Sequence, residues 1–130
     1  VDPDDYNTEV TEHARLQALR AAQRFPEMGI PNNVQGIADL YDASDDWIPI
    51  YDKSDLPGFY MAVGTSGNQF KNAPVAGKMM NELINYVENG NDHDVNPLKF
   101  KLPNVDYELD MSFCSRKREI NRESSFSVVG

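Results

Sequence analysis

The sequence predicts an α+β fold. Two stretches repeat apolar residues at helical spacing, the run Phe59–Val63 is continuously apolar, and Pro97–Leu102 alternates apolar with polar residues. Together they describe a helix, several short strands, a buried strand–glycine loop–helix unit and an extended C-terminal tail.

The first helix is expected to start at Asn7-Thr8-Glu9. Asn7 is a good capping residue, and Glu9 and Glu12 suit the positive end of a helix dipole. Val10, Ala14, Ala18, Ala21 and Phe25 form one apolar stripe. Pro26 ends the helix because it has no N–H to donate. Residues 26–35 read as loop, and residues 34–43 as a short strand burying Ile37 and Leu40. An acidic turn over Asp42–Asp46 follows. Trp47–Tyr51 reads as a strand with Pro49 at an edge, and Asp52–Gly58 as a turn.

Phe59–Val63 is the clearest strand, with a pattern that predicts burial on both faces, as in a mostly parallel sheet. Asn72-Ala73-Pro74 opens the second helix, since proline is tolerated in a first turn. Val75, Met79, Leu83 and Val87 fall four apart, Ala76, Met80 and Ile84 lie beside them, and Gly90 ends the helix. Met79 and Met80 are core residues on this pattern. Leu98, Phe100 and Leu102 make a half-buried strand. Residues 103–130 show no period and are expected to lie extended over a surface.

Composition sets the outer limits. The chain has 130 residues, 40% apolar and 25% charged, which is ordinary for one soluble domain. No apolar stretch reaches the ~18 residues of a membrane span, and the acidic N-terminus does not read as a signal peptide. The chain opens on Val1 rather than methionine, as a processed product or fragment would. One cysteine, Cys114, excludes an internal disulfide and a multi-thiolate zinc site, and fits a cytoplasmic setting. The net charge of −9 argues against a nucleic-acid binder, which needs a basic face. Residues 1–60 hold twelve acids against four bases, whereas the last twenty hold Arg116, Lys117, Arg118 and Arg122 against two acids. That basic cluster reads as a solvated surface segment.

The chemistry lies in residues 64–71. Strand, glycine loop, helix is an arrangement that binds anions, because a helix start has unpaired N–H groups and a positive partial charge. Gly64 and Gly67 give backbone freedom, and Lys71 adds a full charge. The dinucleotide fingerprint G-x-G-x-x-G fails at Ser66, the phosphate loop G-x-x-x-x-G-K-[ST] does not fit, and the serine-hydrolase elbow fails at Asn68. A plainer reading stays open beside the anion site: the glycines turn the chain, and Ser66 and Asn68 cap the helix.

The run Leu56-Pro57-Gly58-Phe59-Tyr60-Met61-Ala62-Val63-Gly64, then Ser66-Gly67, Phe70-Lys71, Ala73-Pro74 and Gly77, resembles the C-terminal flavin-binding segment of the D-amino-acid oxidase superfamily. The branch it looks most like holds sarcosine oxidase, sarcosine dehydrogenase and dimethylglycine dehydrogenase. Tyr41 through Ile50 and Arg24-Phe25-Pro26 extend the resemblance over roughly residues 20–102. It implies a C-terminal fragment of an FAD-dependent oxidoreductase. Residues 1–55 would end a substrate domain, 56–102 would end an FAD-binding domain, and 103–130 would be the tail. Gly64, Ser66, Gly67, Asn68, Gln69, Phe70 and Lys71 would then lie at the flavin ring. Backbone N–H groups would face N1 and the C2 carbonyl, and Lys71 would stand near that carbonyl and a substrate carboxylate.

The resemblance also implies a partner, namely an N-terminal part or second subunit that carries the dinucleotide motif. It implies a small amine or amino-acid substrate, weak FAD binding by this chain alone, and self-association through uncovered surfaces. Asn68-Gln69 stands where the family has His-Gly, and with the missing fingerprint it favours the alternative: a stand-alone binding or structural module that kept the fold and lost FAD.

Other candidates read as ordinary structure. His13 is a solvent-facing residue and His93 a loop residue. Asp42, Asp45 and Asp46 form a solvated turn, with Asp46 bonded to backbone. Trp47, Tyr51 and Tyr60 belong to the core or to a pocket wall.

Overall fold

A computed structural model describes residues 1–124. The chain divides into two units, residues 1–40 and residues 41–130. The architecture is α+β, with two α-helices and two small antiparallel sheets.

The first unit holds helix α1, Glu12–Arg24, and a short 3-10 turn, Pro26–Met28. The helix starts four residues later than a cap at Asn7 would place it. Asn7 Oδ1 instead accepts from Glu9 N at 2.9 Å in a local turn, and Thr11 occupies the cap position without a side-chain bond. Phe25 ends the helix, its N–H bonded to Ala21 O, with Pro26 next. No residue of α1 is buried. The strand expected over residues 34–43 does not form. Ile37 is 92% exposed, and no second strand exists in this unit to pair with it. A strand without a partner leaves its backbone bonds to water.

The second unit carries the core. Strands β1, Ile50–Lys53, and β2, Tyr60–Val63, form an antiparallel hairpin in which Ile50 faces Val63 and Lys53 faces Tyr60. β1 starts three residues later than expected. Trp47 takes a left-handed conformation (φ 62°), and Pro49 has no N–H for a ladder. Asp52 belongs to this strand and is fully buried, so the turn begins after it. β2 is a strand, as Phe59–Val63 predicted, but its expected setting is wrong. It pairs only with β1, antiparallel, and Ala62 and Val63 are exposed.

Helix α2, Ala73–Glu88, follows a 3-10 turn, Phe70–Asn72. Its stripe points inward as the spacing required: Met79 and Leu83 are buried, and Val75, Ala76 and Met80 pack against the core. Asn89 caps the C-terminal end, and Gly90 (φ 88°) turns the chain away. Strands β3, Lys99–Lys101, and β4, Glu108–Asp110, pair antiparallel, with Phe100 opposite Leu109. A 3-10 turn, Met111–Cys114, completes the unit. Tyr51, Met79, Phe100, Met111 and Cys114 form one buried cluster. Burial raises the Cys114 thiol pKa to about 11.

The segment after Pro103 is thus not a featureless tail. It supplies a strand, a turn and two arginines whose side chains are 13% and 12% exposed. The expectation of a solvated basic cluster fails for Arg116 and Arg118. Residues 125–130 of the expected tail lie outside the described residues.

Candidate functional site

Where β2 ends, the backbone turns left-handed at three of four residues: Gly64 (φ 68°), Ser66 (φ 52°) and Gly67 (φ 71°). Glycine adopts this region freely, while serine holds it only under outside constraint. Space also demands glycine at 64, where a Cβ would lie 3.2 Å from the Ser44 Cβ.

The constraint comes from Asp42. Its Oδ2 accepts from Gly64 N at 2.5 Å and from Thr65 N at 3.0 Å, and its Oδ1 accepts from Thr65 Oγ1 at 2.5 Å. Its main-chain carbonyl accepts from Ser66 N at 2.8 Å. The Thr65 hydroxyl, then the Thr65 and Gly64 amides, hold the Asp42 carboxyl below its usual range. Asp42 is therefore a clamp on the loop rather than a free member of a solvated turn.

Neither Ser66 nor Asn68 caps the helix. The buried Ser66 hydroxyl donates to Gly64 O at 3.1 Å, and the turn and helix that follow have no side-chain cap bond. Asn72, expected as the cap, donates through Nδ2 to Gln69 Oε1 at 2.9 Å. Gln69 Oε1 also accepts from Tyr51 Oη at 3.3 Å, and Gln69 Nε2 donates to Asn68 Oδ1 at 2.5 Å. Gln69 is thereby tied both to β1 and to the start of α2.

The loop amides fall into two groups. Those of Gly64, Thr65 and Ser66 go to Asp42, Asn68 N donates to Thr65 O, and Asn72 N donates to Gln69 O. Among the described residues, the amides of Gly67, Gln69, Phe70 and Lys71 have no acceptor. Phe70 is 97% exposed, and Lys71 is exposed beside it.

A cavity of about 550 Å³ opens along this stretch. Tyr51 and Ala62 come from the hairpin, Gly67 and Gln69 from the loop, and Ala76 and Met80 from α2. Its wall is largely apolar, with Thr65 and Gln69 the polar residues of the loop that line it. The structure thus brings Gly67, Gln69 and Phe70 to one cavity with Tyr51. Gly64 and Ser66 serve the turn itself, and Lys71 is not among the lining residues.

A second constellation escaped the sequence reading. Buried Asp46 receives Arg118 through Nε at 2.9 Å and Nη2 at 2.5 Å, and Ile48 N at 3.2 Å. The backbone bond at Asp46 was expected; the arginine was not. Chiefly through Arg118, the Asp46 carboxyl stays well below the usual range. Buried Asp52 accepts from Ser115 Oγ, Arg116 N and Arg116 Nη1 at 2.8–3.2 Å. Arg116 also reaches Asp94 and Asp55, and Lys53 and Lys117 each lie 2.9 Å from Asp94. His93, predicted as a loop residue, does lie in a loop but is 1% exposed against Asp52.

Each charge in this constellation is matched within the chain, and no group of three potential metal ligands exists among the described residues. No described helix is long and apolar enough to cross a membrane. Comparison of the chain with protein-family models, with curated proteins and with solved structures finds no match.

Proposed function

We propose that this chain is the C-terminal portion of an FAD-dependent amine or amino-acid oxidoreductase, and that it supplies the wall of the site facing the flavin ring. The supporting observation is the cavity beside residues 67–71. It holds about 550 Å³ and is lined in part by small residues, Ala62, Gly67, Ala73, Ala76 and Gly77, which would let a flat ring approach the backbone. Gly67, Gln69 and Phe70 line it, and among the described residues their amides have no acceptor.

The ring, when bound, accepts a hydride from a carbon next to nitrogen. The chain's part is to place and polarise it. The amides of the loop and Lys71 would offset the negative charge that gathers on the reduced ring at N1 and the C2 carbonyl. Tyr51 and Gln69 would fix the position of the loop through their hydrogen bond. The N-terminal part or partner subunit would hold the ADP half of the cofactor.

A second reading has its own support. Asp42 already occupies the amides of Gly64, Thr65 and Ser66, as a self-contained binding or structural module would arrange them. The intact mass of the natural protein, read with its absorbance in the flavin bands, separates the two. A longer, yellow protein supports the oxidoreductase, whereas a colourless protein of this chain's mass supports the module. In a yellow protein, Lys71→Ala should slow flavin reduction more than it weakens flavin binding. An unchanged reduction rate would remove Lys71 from the mechanism.

A further inference from the structure

His93 lies at the centre of the second constellation and has no part in the proposed flavin site. It sits in the loop between α2 and β3, 1% exposed. Leu98 N donates to its Nδ1 at 3.1 Å, so the proton of the neutral ring is on Nε2. Nε2 faces Asp52 Oδ1 at 3.7 Å, too far for a hydrogen bond, and no other described atom satisfies it. The ring also stands edge-on to Tyr86 of α2, with centroids 6.5 Å apart.

The charged groups around the ring come from every side. Asp52 and Lys53 belong to β1, Asp94 to the ring's own loop, and Arg116 to the segment after Cys114. Asp55 and Lys117 complete the network. Three carboxylates thus meet three cations, Lys53, Arg116 and Lys117. The balance holds only while His93 is neutral. A second proton on the ring must go to Nδ1, where it would confront the Leu98 N–H, abolish that bond and leave a net positive charge in a buried place.

We infer that His93 is an acid-sensitive latch: as a neutral ring, packed against β1, it closes the loop ahead of β3 by accepting from Leu98 N, and protonation at Nδ1 releases that loop. Burial opposes the charged ring more than Asp52 and Asp94 favour it, so the folded protein takes up the proton at lower pH than the unfolded chain. The sign follows. The unfolded chain binds a proton below about pH 6.5 while the folded one does not, so stability is full above that pH and declines beneath it, until the folded ring titrates too.

The test uses the whole chain and His93→Asn, which keeps an acceptor near the Nδ1 position and does not titrate. Unfolding constants would be measured from pH 7.5 to 5.5. The wild-type constant should rise relative to that of the variant by up to about tenfold per pH unit below about 6.5. His13 is common to both chains and cancels. A ratio that does not change with pH overturns the latch. If the variant does not fold, exchange of the Leu98 amide in the wild type decides, after correction for the intrinsic pH dependence of exchange. Protection that falls on acidification supports the latch, and constant protection overturns it.

Discussion

The glycine loop and the segment after Cys114 are both organised by aspartates, in opposite surroundings. Asp42 is exposed and collects backbone amides across a turn. Asp46 and Asp52 are buried and collect arginines from a segment more than sixty residues away. Water can replace Asp42 at the surface, but it cannot reach the interior pair without opening the core. The loop is therefore the adaptable region, and the arginine segment is the one that holds the unit closed.

The sharpest break of that comparison is Arg118→Ala. It leaves the Asp46 carboxylate buried without its cation, and stability should fall by about 3–5 kcal/mol in equilibrium denaturation. A loss near that of a surface substitution would erase the distinction. Acidification should act next. The Asp46 and Asp94 carboxyls are held well below their usual range, chiefly by Arg118 and Arg116. Their contribution is complete above the unfolded value of about 3.9 and disappears as pH falls through the lowered folded values. Denaturation followed from pH 5 to 2 should show the steepest loss below about pH 4, with a shallower slope in Arg118→Ala.

Asp42→Ala should cost only about 1 kcal/mol, because Asp42 is exposed and water can enter the space its carboxylate leaves. A loss as large as that of Arg118→Ala would make the two regions equivalent. The smallest effect on folding belongs to Phe70→Ala. The ring is 97% exposed, so thermal melting should not change. A lowered melting point would show that Phe70 packs against the chain.

The same contrast explains what the sequence could tell. α2 was legible because Met79 and Leu83 recur at a helical interval and face one core. Phe100 was legible because the strand alternates around it. The α+β class followed from such local patterns. The strand expected at residues 34–43 failed because a strand is defined by its partner, and apolar residues alone do not supply one. β2 looked doubly buried because its residues are apolar, yet nothing in the described second unit covers Ala62 and Val63. The loop's place between a strand and a helix was legible, but its clamp was not, since Asp42 stands 22 residues before Gly64. The pairs Asp46–Arg118 and Asp52–Arg116 leave no local trace. Their one signal was the triplet Arg116-Lys117-Arg118 in a chain rich in aspartate, and charge runs of that kind are more often solvated.

Cys114 gives the protein a built-in reporter. Its sulfur is enclosed among Tyr51, Phe100 and Met111, and it resists losing its proton. An alkylating reagent at neutral pH therefore finds almost no thiolate to attack while the interior is shut. Each labelled molecule records one opening of the core, and the labelling rate counts those events without any added dye.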